Sequence, residues 1–272
     1  MLAQHLPPHS TGIPARRSEA IKRGCDLFLS LAIAILAIPV TLMAWGLVRL
    51  TSTGPGFYSQ VRVGRNGQRY RIYKIRTMYT NCEAVSGAAW STKSDPRVTP
   101  FGRIFRKLHI DELPQLLNVL RGDMSLVGPR PERPEFVGPL SQHIPNYTDR
   151  LLVRPGVTGL AQIQLPPDTS IDSVRTKLVL DRCYVQTGSF WLDLRIMLGT
   201  VIYLAGFSFA RIGKIMWLPN PLADKAVVSG SLTPHVMGPF KVMGLFPSQR
   251  NETDPPRSLS IEGEPIVCSE AQ

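Results

Sequence analysis

Leu27 to Val48, LFLSLAIAILAIPVTLMAWGLV, runs for 22 residues without a charged side chain. At 1.5 Å per residue such a run is long enough to cross the ~30 Å hydrocarbon core of a bilayer. It therefore limits the rest of the chain to folds that live on a membrane. A cleaved signal peptide fits poorly, because a long polar leader carrying Arg16, Arg17, Lys22 and Arg23 precedes the run. A buried core helix fits less well than a lipid-facing one, since the run is apolar on all its faces. The far flank is more basic than the near one, with Arg49, Arg62, Arg65, Arg69, Arg71, Lys74 and Arg76. Positive charge on both sides favours keeping both flanks in the cytoplasm. Pro39 stands near the middle, where it removes a helical hydrogen bond and predicts a kink. The expectation is a re-entrant helix that enters one leaflet and returns, with a plain spanning helix as the alternative.

The remaining sequence reads as α+β. In VRVGRNGQRYRIYKI an Asn66-Gly67 turn separates alternating apolar and basic residues, which predicts a β-hairpin. Arg69 and Arg71 then share one face, opposite Tyr70 and Ile72. SVRTKLVLDRCYV and FWLDLRIMLGTVIYLAGFSFARIGKIMW read as helices. The second suits an amphipathic position in the membrane interface, with Trp191 and Trp217 at headgroup depth, or a place in the core. TNCEAVSGAAWSTKSDPRVTP reads as a loop, and Pro and Gly recur past Leu218, where little order is expected. The expected divisions are a basic leader over 1–24, the re-entrant helix over 25–50, a catalytic domain over 51–217 and an extension over 218–272.

Charge and cysteines narrow the partners. A net charge of +11 over 272 residues suits an anionic one: nucleic acid, acidic headgroups or a phosphorylated substrate. Cys25, Cys82, Cys183 and Cys268 lack any Cys-x-x-Cys spacing, so neither a zinc site nor a disulfide framework is indicated. The phosphate-binding G-x-x-x-x-G-K-[ST] loop, the dinucleotide fingerprint G-x-G-x-x-G and a serine nucleophile elbow are missing from the sequence.

The chemistry concentrates between Leu108 and Pro131, LHIDELPQLLNVLRGDMSLVGPRP. Leu113, Leu116, Leu117 and Leu120 recur at helical spacing, and Pro114 is tolerated only in a first turn. Asp111 and Glu112 are thus expected at a helix N-terminus, where acids commonly cap free N–H groups. The neighbours argue for more than capping. Arg106 and Lys107 precede the pair, and Arg130 is held between Pro129 and Pro131. Arginine is a natural bidentate partner of phosphate, and Mg²⁺ can reconcile carboxylates with a phosphate by binding both. One acid can then be a nucleophile while the other holds metal.

KRGCDLFLS, KIRTM, DPRVTPFGRIFRKLHIDELPQLLNVLRGDMSLVGPRP and RPGVTGLAQI, in that order, closely resemble the bacterial sugar transferase family, the monotopic phosphoglycosyl transferases, over about Lys22 to Val201. The resemblance implies transfer of a sugar-1-phosphate from a UDP-sugar to a polyprenyl phosphate, with Mg²⁺ and release of UMP. It implies the inner membrane, with catalysis facing the cytoplasm, and the start of exopolysaccharide or O-antigen-type glycan assembly. Carried over by position, Asp111 is the nucleophile and, with Glu112, the metal site. Lys74, Arg76, Arg106, Arg130 and Arg154 fall on basic positions that face phosphates or hold the site together. The donor, the acceptor lipid and the bilayer are the implied partners, together with a homodimer and without nucleic acid.

The chain departs from the pattern at Ile38, where Ser is frequent before the membrane Pro, and at His109 and Ile110. Larger relatives carry an N-terminal bundle of membrane helices, so the expectation is a minimal catalytic unit with a C-terminal extension. The rival class is a membrane-tethered nucleic-acid binder or a scaffold without catalysis, though interleaved base-stacking aromatics are lacking.

Overall fold

The structure, a computed structural model, describes residues 19–82 and 95–222. Much of the loop expected after Thr80, and nearly all of the extension, lie outside the described residues. The architecture is α+β: seven α-helices, short 3₁₀ turns and two two-stranded sheets among the described residues.

The apolar run forms the core of α1, Glu19–Thr51, a helix of 33 residues. It stays helical through Pro39, so the proline does not end it. A narrow stripe faces the protein, with Asp26, Ser30, Ala37, Ala44 and Val48 buried. The opposite side leaves Phe28, Leu31, Ile35, Leu36, Leu42 and Leu50 exposed. Small and polar residues on the stripe let neighbouring elements approach closely, while the large apolar ones face outward. That is the reverse of a soluble amphipathic helix.

Both ends of α1 are held by the same body. At the start, Lys22 Nζ pairs with Asp193 at 2.7 Å, and Arg23 donates to the carbonyls of Val119 and Leu120 at 2.6 and 2.9 Å. Asp26 accepts the backbone N–H of Leu126 at 3.1 Å. At the far end Ala44 and Val48 pack with Ile75 and Phe105. The exit is held by Arg76, which donates to the carbonyls of Ser52 and Thr53 and to the Ser52 hydroxyl.

The hairpin follows: β1, Phe57–Val63, pairs antiparallel with β2, Arg69–Ile75. Asn66 adopts φ 56° and Gly67 φ 78° in the turn, the left-handed geometry that Asn and Gly tolerate. Arg69 and Arg71 are exposed and Ile72 is buried, as the alternation predicts. α2, Pro100–Leu108, begins on Thr99, whose hydroxyl accepts the Gly102 N–H at 3.0 Å, with Pro100 in the first turn.

The four-leucine segment differs from expectation. Ile110–Gln115 is a 3₁₀ turn, and α3 is only Leu116–Arg121. Of the four leucines only Leu113 lies in the 3₁₀ turn, so it no longer keeps α-helical spacing with the three in α3, of which Leu117 is 42% exposed.

Next come β3, Ser125–Val127, α4, Pro134–His143, and β4, Gly156–Thr158. β3 and β4 pair in parallel. Gly128 and Gly156 permit their contact, since a Cβ on Gly156 would lie 2.0 Å from the Gly128 nitrogen. α5, Ile171–Thr187, matches the helix expected there and starts from a Ser170–Ser173 capping box. The long segment read as one helix is two, α6, Phe190–Leu204, and α7, Phe209–Ile215. Gly206 at φ 92° turns the chain between them. The main core joins α3, β3, α5 and α6 to the buried stripe of α1 through Leu116, Met124, Leu180, Tyr184 and Ile196.

Candidate active site

Asp111 and Glu112 sit in the 3₁₀ turn, immediately after His109 brings α2 to an end. His109 has φ 55° and ψ 20°, a left-handed conformation that His adopts more readily than most side chains. Its ring lies edge-on to Tyr203 of α6, centroids 5.6 Å apart, so α6 braces the residue that aims the dyad. Both acids are buried, at 7% and 8% exposure, which is unusual for carboxylates. Neither makes a capping hydrogen bond among the described residues, and the ordinary explanation for acids at a helix start therefore fails here.

The two carboxylates have opposite surroundings. Glu112 Oε1 accepts from Lys74 Nζ at 2.7 Å and from Arg130 Nη2 at 2.7 Å, and Arg130 Nη1 lies 3.5 Å from Oε2. Burial would raise the Glu112 pKa, but Arg130 and Lys74 outweigh it and hold the group well below the usual carboxylate range. Asp111 makes no side-chain hydrogen bond or ion pair among the described residues. Burial pushes its pKa up, opposed by Lys74 and reinforced by the negative charge of Glu112. Lys74 is itself pulled down by burial, against the attraction of Glu112. One acid is thus an anchor for cations, and the other is an oxygen donor with its coordination still open.

The five basic residues anticipated from sequence divide into two sets. Lys74 and Arg130 meet at Glu112, and Arg106 lies close enough for its charge to act on Asp111 while its Nε donates to Thr77 at 2.8 Å. Arg76 and Arg154 are elsewhere. Arg76 is 6% exposed and spends its guanidinium on the exit of α1. Arg154 reaches Glu19 at 2.5 Å and the Gly122 carbonyl at 3.1 Å, joining β4 to the start of α1. Both are occupied in tying the ends of α1 to the body.

Sequence reasoning missed the buried polar supports. Arg150 meets Asp181 at 2.9 Å and Tyr147, whose phenol burial pushes up to about 12. Tyr184 donates to Asp193 at 2.7 Å. A signal existed in two cases: Asp181 and Asp193 are lone acids inside apolar helical runs, where an acid needs a partner. Nothing in the sequence distinguishes Arg150 from its surface neighbours.

For Mg²⁺ the dyad offers the Asp111 oxygens and Glu112 Oε2, since Glu112 Oε1 is taken by Lys74 and Arg130. Asp111 and Glu112 are adjacent oxygen donors, and no third His, Cys, Asp or Glu joins them among the described residues. Mg²⁺ commonly takes only one or two carboxylates and completes its shell with water and substrate phosphate.

Comparison with known proteins identifies the family. The model of the bacterial sugar transferase family matches residues 17–206. A UDP-N-acetylgalactosamine-undecaprenyl-phosphate N-acetylgalactosaminephosphotransferase of Aeromonas hydrophila is 41% identical over 206 residues, 75% of this chain and 48% of that protein. This chain therefore spans about half the length of that relative. A UDP-glucose:undecaprenyl-phosphate glucose-1-phosphate transferase of Caulobacter vibrioides is 44% identical over 191 residues, 70% of this chain and 71% of the relative. The exopolysaccharide production protein PSS of Rhizobium leguminosarum bv. phaseoli is 41% identical over 187 residues, 67% of this chain and 94% of the relative. With its long central motif folded around a buried Asp-Glu pair, the chain belongs to the bacterial sugar transferase family.

Proposed function

We propose that this protein transfers a sugar-1-phosphate from a UDP-sugar to a membrane polyprenyl phosphate such as undecaprenyl phosphate, at the start of exopolysaccharide or O-antigen-type assembly. The carrying observation is the asymmetry of the dyad: Glu112 Oε1 is held by both Lys74 and Arg130, while the buried Asp111 carboxylate has no bonded partner among the described residues. A poorly solvated, unengaged carboxylate is a better nucleophile than one already spent on cations.

In the first step an Asp111 oxygen attacks the sugar-proximal phosphorus. The bond from that phosphorus to the oxygen bridging to UMP breaks, and UMP leaves with the electron pair. Asp111 now carries the sugar phosphate as an acyl phosphate. In the second step an oxygen of the lipid phosphate attacks the same phosphorus and displaces the carboxylate. Lys74 and Arg130 neutralise the diphosphate, moving part of their attraction from Glu112 to the incoming charge. Mg²⁺ would supply further neutralisation of the phosphate oxygens, and the residues that would hold it are Glu112, through the oxygen not spent on Lys74, and Asp111, through the oxygen not used in attack. Release of UMP from UDP-glucose, UDP-galactose or UDP-N-acetylgalactosamine, dependent on Mg²⁺, is the decisive assay. Inertness toward every donor in the presence of undecaprenyl phosphate would sink the reading. A membrane-tethered nucleic-acid binder or scaffold is not favoured, since the relatives compared are named for sugar-phosphate transfer or exopolysaccharide production.

The same reading puts α1 into one leaflet of the bacterial inner membrane with both flanks cytoplasmic. Its support is mechanical. Lys22, Arg23 and Asp26 at one end and Arg76 at the other bind the two ends of α1 to one polar body. Separating the ends across a bilayer would strip these groups of their partners. The exposed aromatics Trp191 and Trp217 on the α6–α7 side suit the headgroup layer. Single cysteines at Ile21 and Asn66, in a chain whose four native cysteines are changed to serine, should both react with a membrane-impermeant maleimide only from the cytoplasmic side. Labelling of the two from opposite sides would establish a spanning helix instead.

A further inference from the structure

The loop that presents Arg130 has an unusual hydrogen-bond inventory. Pro129 and Pro131 have no N–H, so the loop can be fastened through little but its carbonyls. All three carbonyls are taken. The Pro129 carbonyl accepts the Gly156 N–H at 2.9 Å, the Arg130 carbonyl accepts Arg150 Nη2 at 2.8 Å, and the Pro131 carbonyl accepts Arg62 Nη1 at 3.3 Å. Two of the three donors are arginine side chains reaching in from other elements, the β1 strand and the turn before β4.

Neither arginine is free to serve a ligand. Arg150 Nη2 bonds both the Arg130 carbonyl and Asp181, and its Nη1 bonds Tyr147. The Arg150 side chain is 11% exposed and Asp181 4%. Arg62 also holds Gln60 at 2.7 Å and Glu132 at 3.5 Å. A buried ion pair seldom adds much stability, because desolvation offsets the attraction, and its better-supported use is to fix one geometry. Here the geometry being fixed is visible. The Arg130 side chain is 48% exposed and, among the described residues, its guanidinium is bonded only by Glu112, so without an anchored backbone it would wander.

We propose that Arg150 is a positioning residue for sugar-phosphate transfer, acting through the Arg130 carbonyl with Asp181 and Tyr147 fixing its fork, and that Arg62 is its counterpart on the Pro131 side. Neither contacts the dyad; both aim the guanidinium that does. This rests on the proposed reaction for its kinetic arm but not for its geometric one.

The test is a double-mutant cycle in the full chain reconstituted in lipid nanodiscs. Arg150→Lys keeps a charge for Asp181 but cannot reach three acceptors with a planar fork. It should lower kcat for UMP release from the best of the three UDP-sugars by about ten- to a hundredfold, the scale of a misaligned catalytic group. In an Arg130→Ala background the same change should have almost no further effect, since its route is gone. Additive losses in the cycle would overturn the proposal. So would full activity in Arg150→Lys. Should Arg150→Lys fail to fold, Arg62→Lys carries the same cycle with the same expected non-additivity. Geometry is read separately, without turnover, from the rate at which phenylglyoxal modifies Arg130, followed by peptide mass spectrometry. Arg150→Lys should speed that modification several-fold, and an unchanged rate would overturn the proposal. A wild-type protein inert on every donor, together with faster modification in the variant, would remove the proposed reaction and leave the positioning role standing.

Discussion

Asp111→Asn is expected to abolish sugar-phosphate transfer while leaving the protein at least as stable as the wild type. The kinetic half follows from the proposed double displacement: an amide cannot accept the phosphoryl group, and losses on the order of 10⁴-fold or more accompany removal of a covalent nucleophile. With a UDP-sugar and no lipid acceptor, the wild-type chain should gain the mass of one sugar phosphate and release at most one UMP per site. The variant should gain nothing. The stability half follows from burial. The folded pKa of Asp111 is raised above its unfolded value of about 3.9, principally by desolvation. Between those two values the folded state binds more protons than the unfolded one, so stability falls as pH rises through that window and stays lower above it. Asparagine removes the cost, and its melting temperature at pH 7.5 should equal or exceed the wild-type value. If UMP formed only when both substrates were bound, and no adduct could be trapped, Asp111 would be a base or a metal ligand and the two-step scheme would be wrong.

How much of this was readable in advance depended on whether the signal was local. The Asn66-Gly67 turn is set by a few adjacent residues, and the structure has it, as it has the helix read at SVRTKLVLDRCYV. The dyad was legible because two acids amid phosphate-seeking cations are chemically conspicuous. Two elements misled for reasons that local pattern cannot supply. The four leucines at helical spacing assumed 3.6 residues per turn from Leu113 onward, but the backbone from Ile110 to Gln115 takes the tighter 3₁₀ winding. In α6 and α7 the apolar run hid a chain reversal that needs only Gly206, a single residue free to adopt positive φ. Arg76 and Arg154 fell by position among basic residues that face phosphates or hold the site together, and their observed partners are set by where α1 docks. Docking of α1 joins residues as far apart as Lys22 and Asp193, and no window of sequence contains both.

Glu112→Gln should produce the opposite pairing of effects: partial chemistry with a marked loss of stability. Glu112 holds two cations, and the amide that replaces it leaves buried Lys74 and Arg130 facing a neutral group. Breaking one partner of a buried pair costs about 3–5 kcal/mol, and the low end applies because the Arg130 side chain is 48% exposed to solvent. About 3 kcal/mol lowers the melting temperature of a chain this size by roughly 6–12 °C. The pH dependence has a definite sign. The folded pKa of Glu112 is held well below its unfolded value of about 4.3, so its stabilising contribution is complete above that value and is lost as pH falls toward the folded one. The gap between wild type and variant should therefore be full at pH 7.5 and begin to close below about pH 4. Because Asp111 is still present, the variant should form the sugar-phosphate adduct slowly, with weakened dependence on Mg²⁺, where Asp111→Asn forms none. An equal melting temperature at pH 7.5 would mean that Lys74 and Arg130 find other counter-charges. A variant as devoid of adduct as Asp111→Asn would mean that the two carboxylates do not divide the work between nucleophile and anchor.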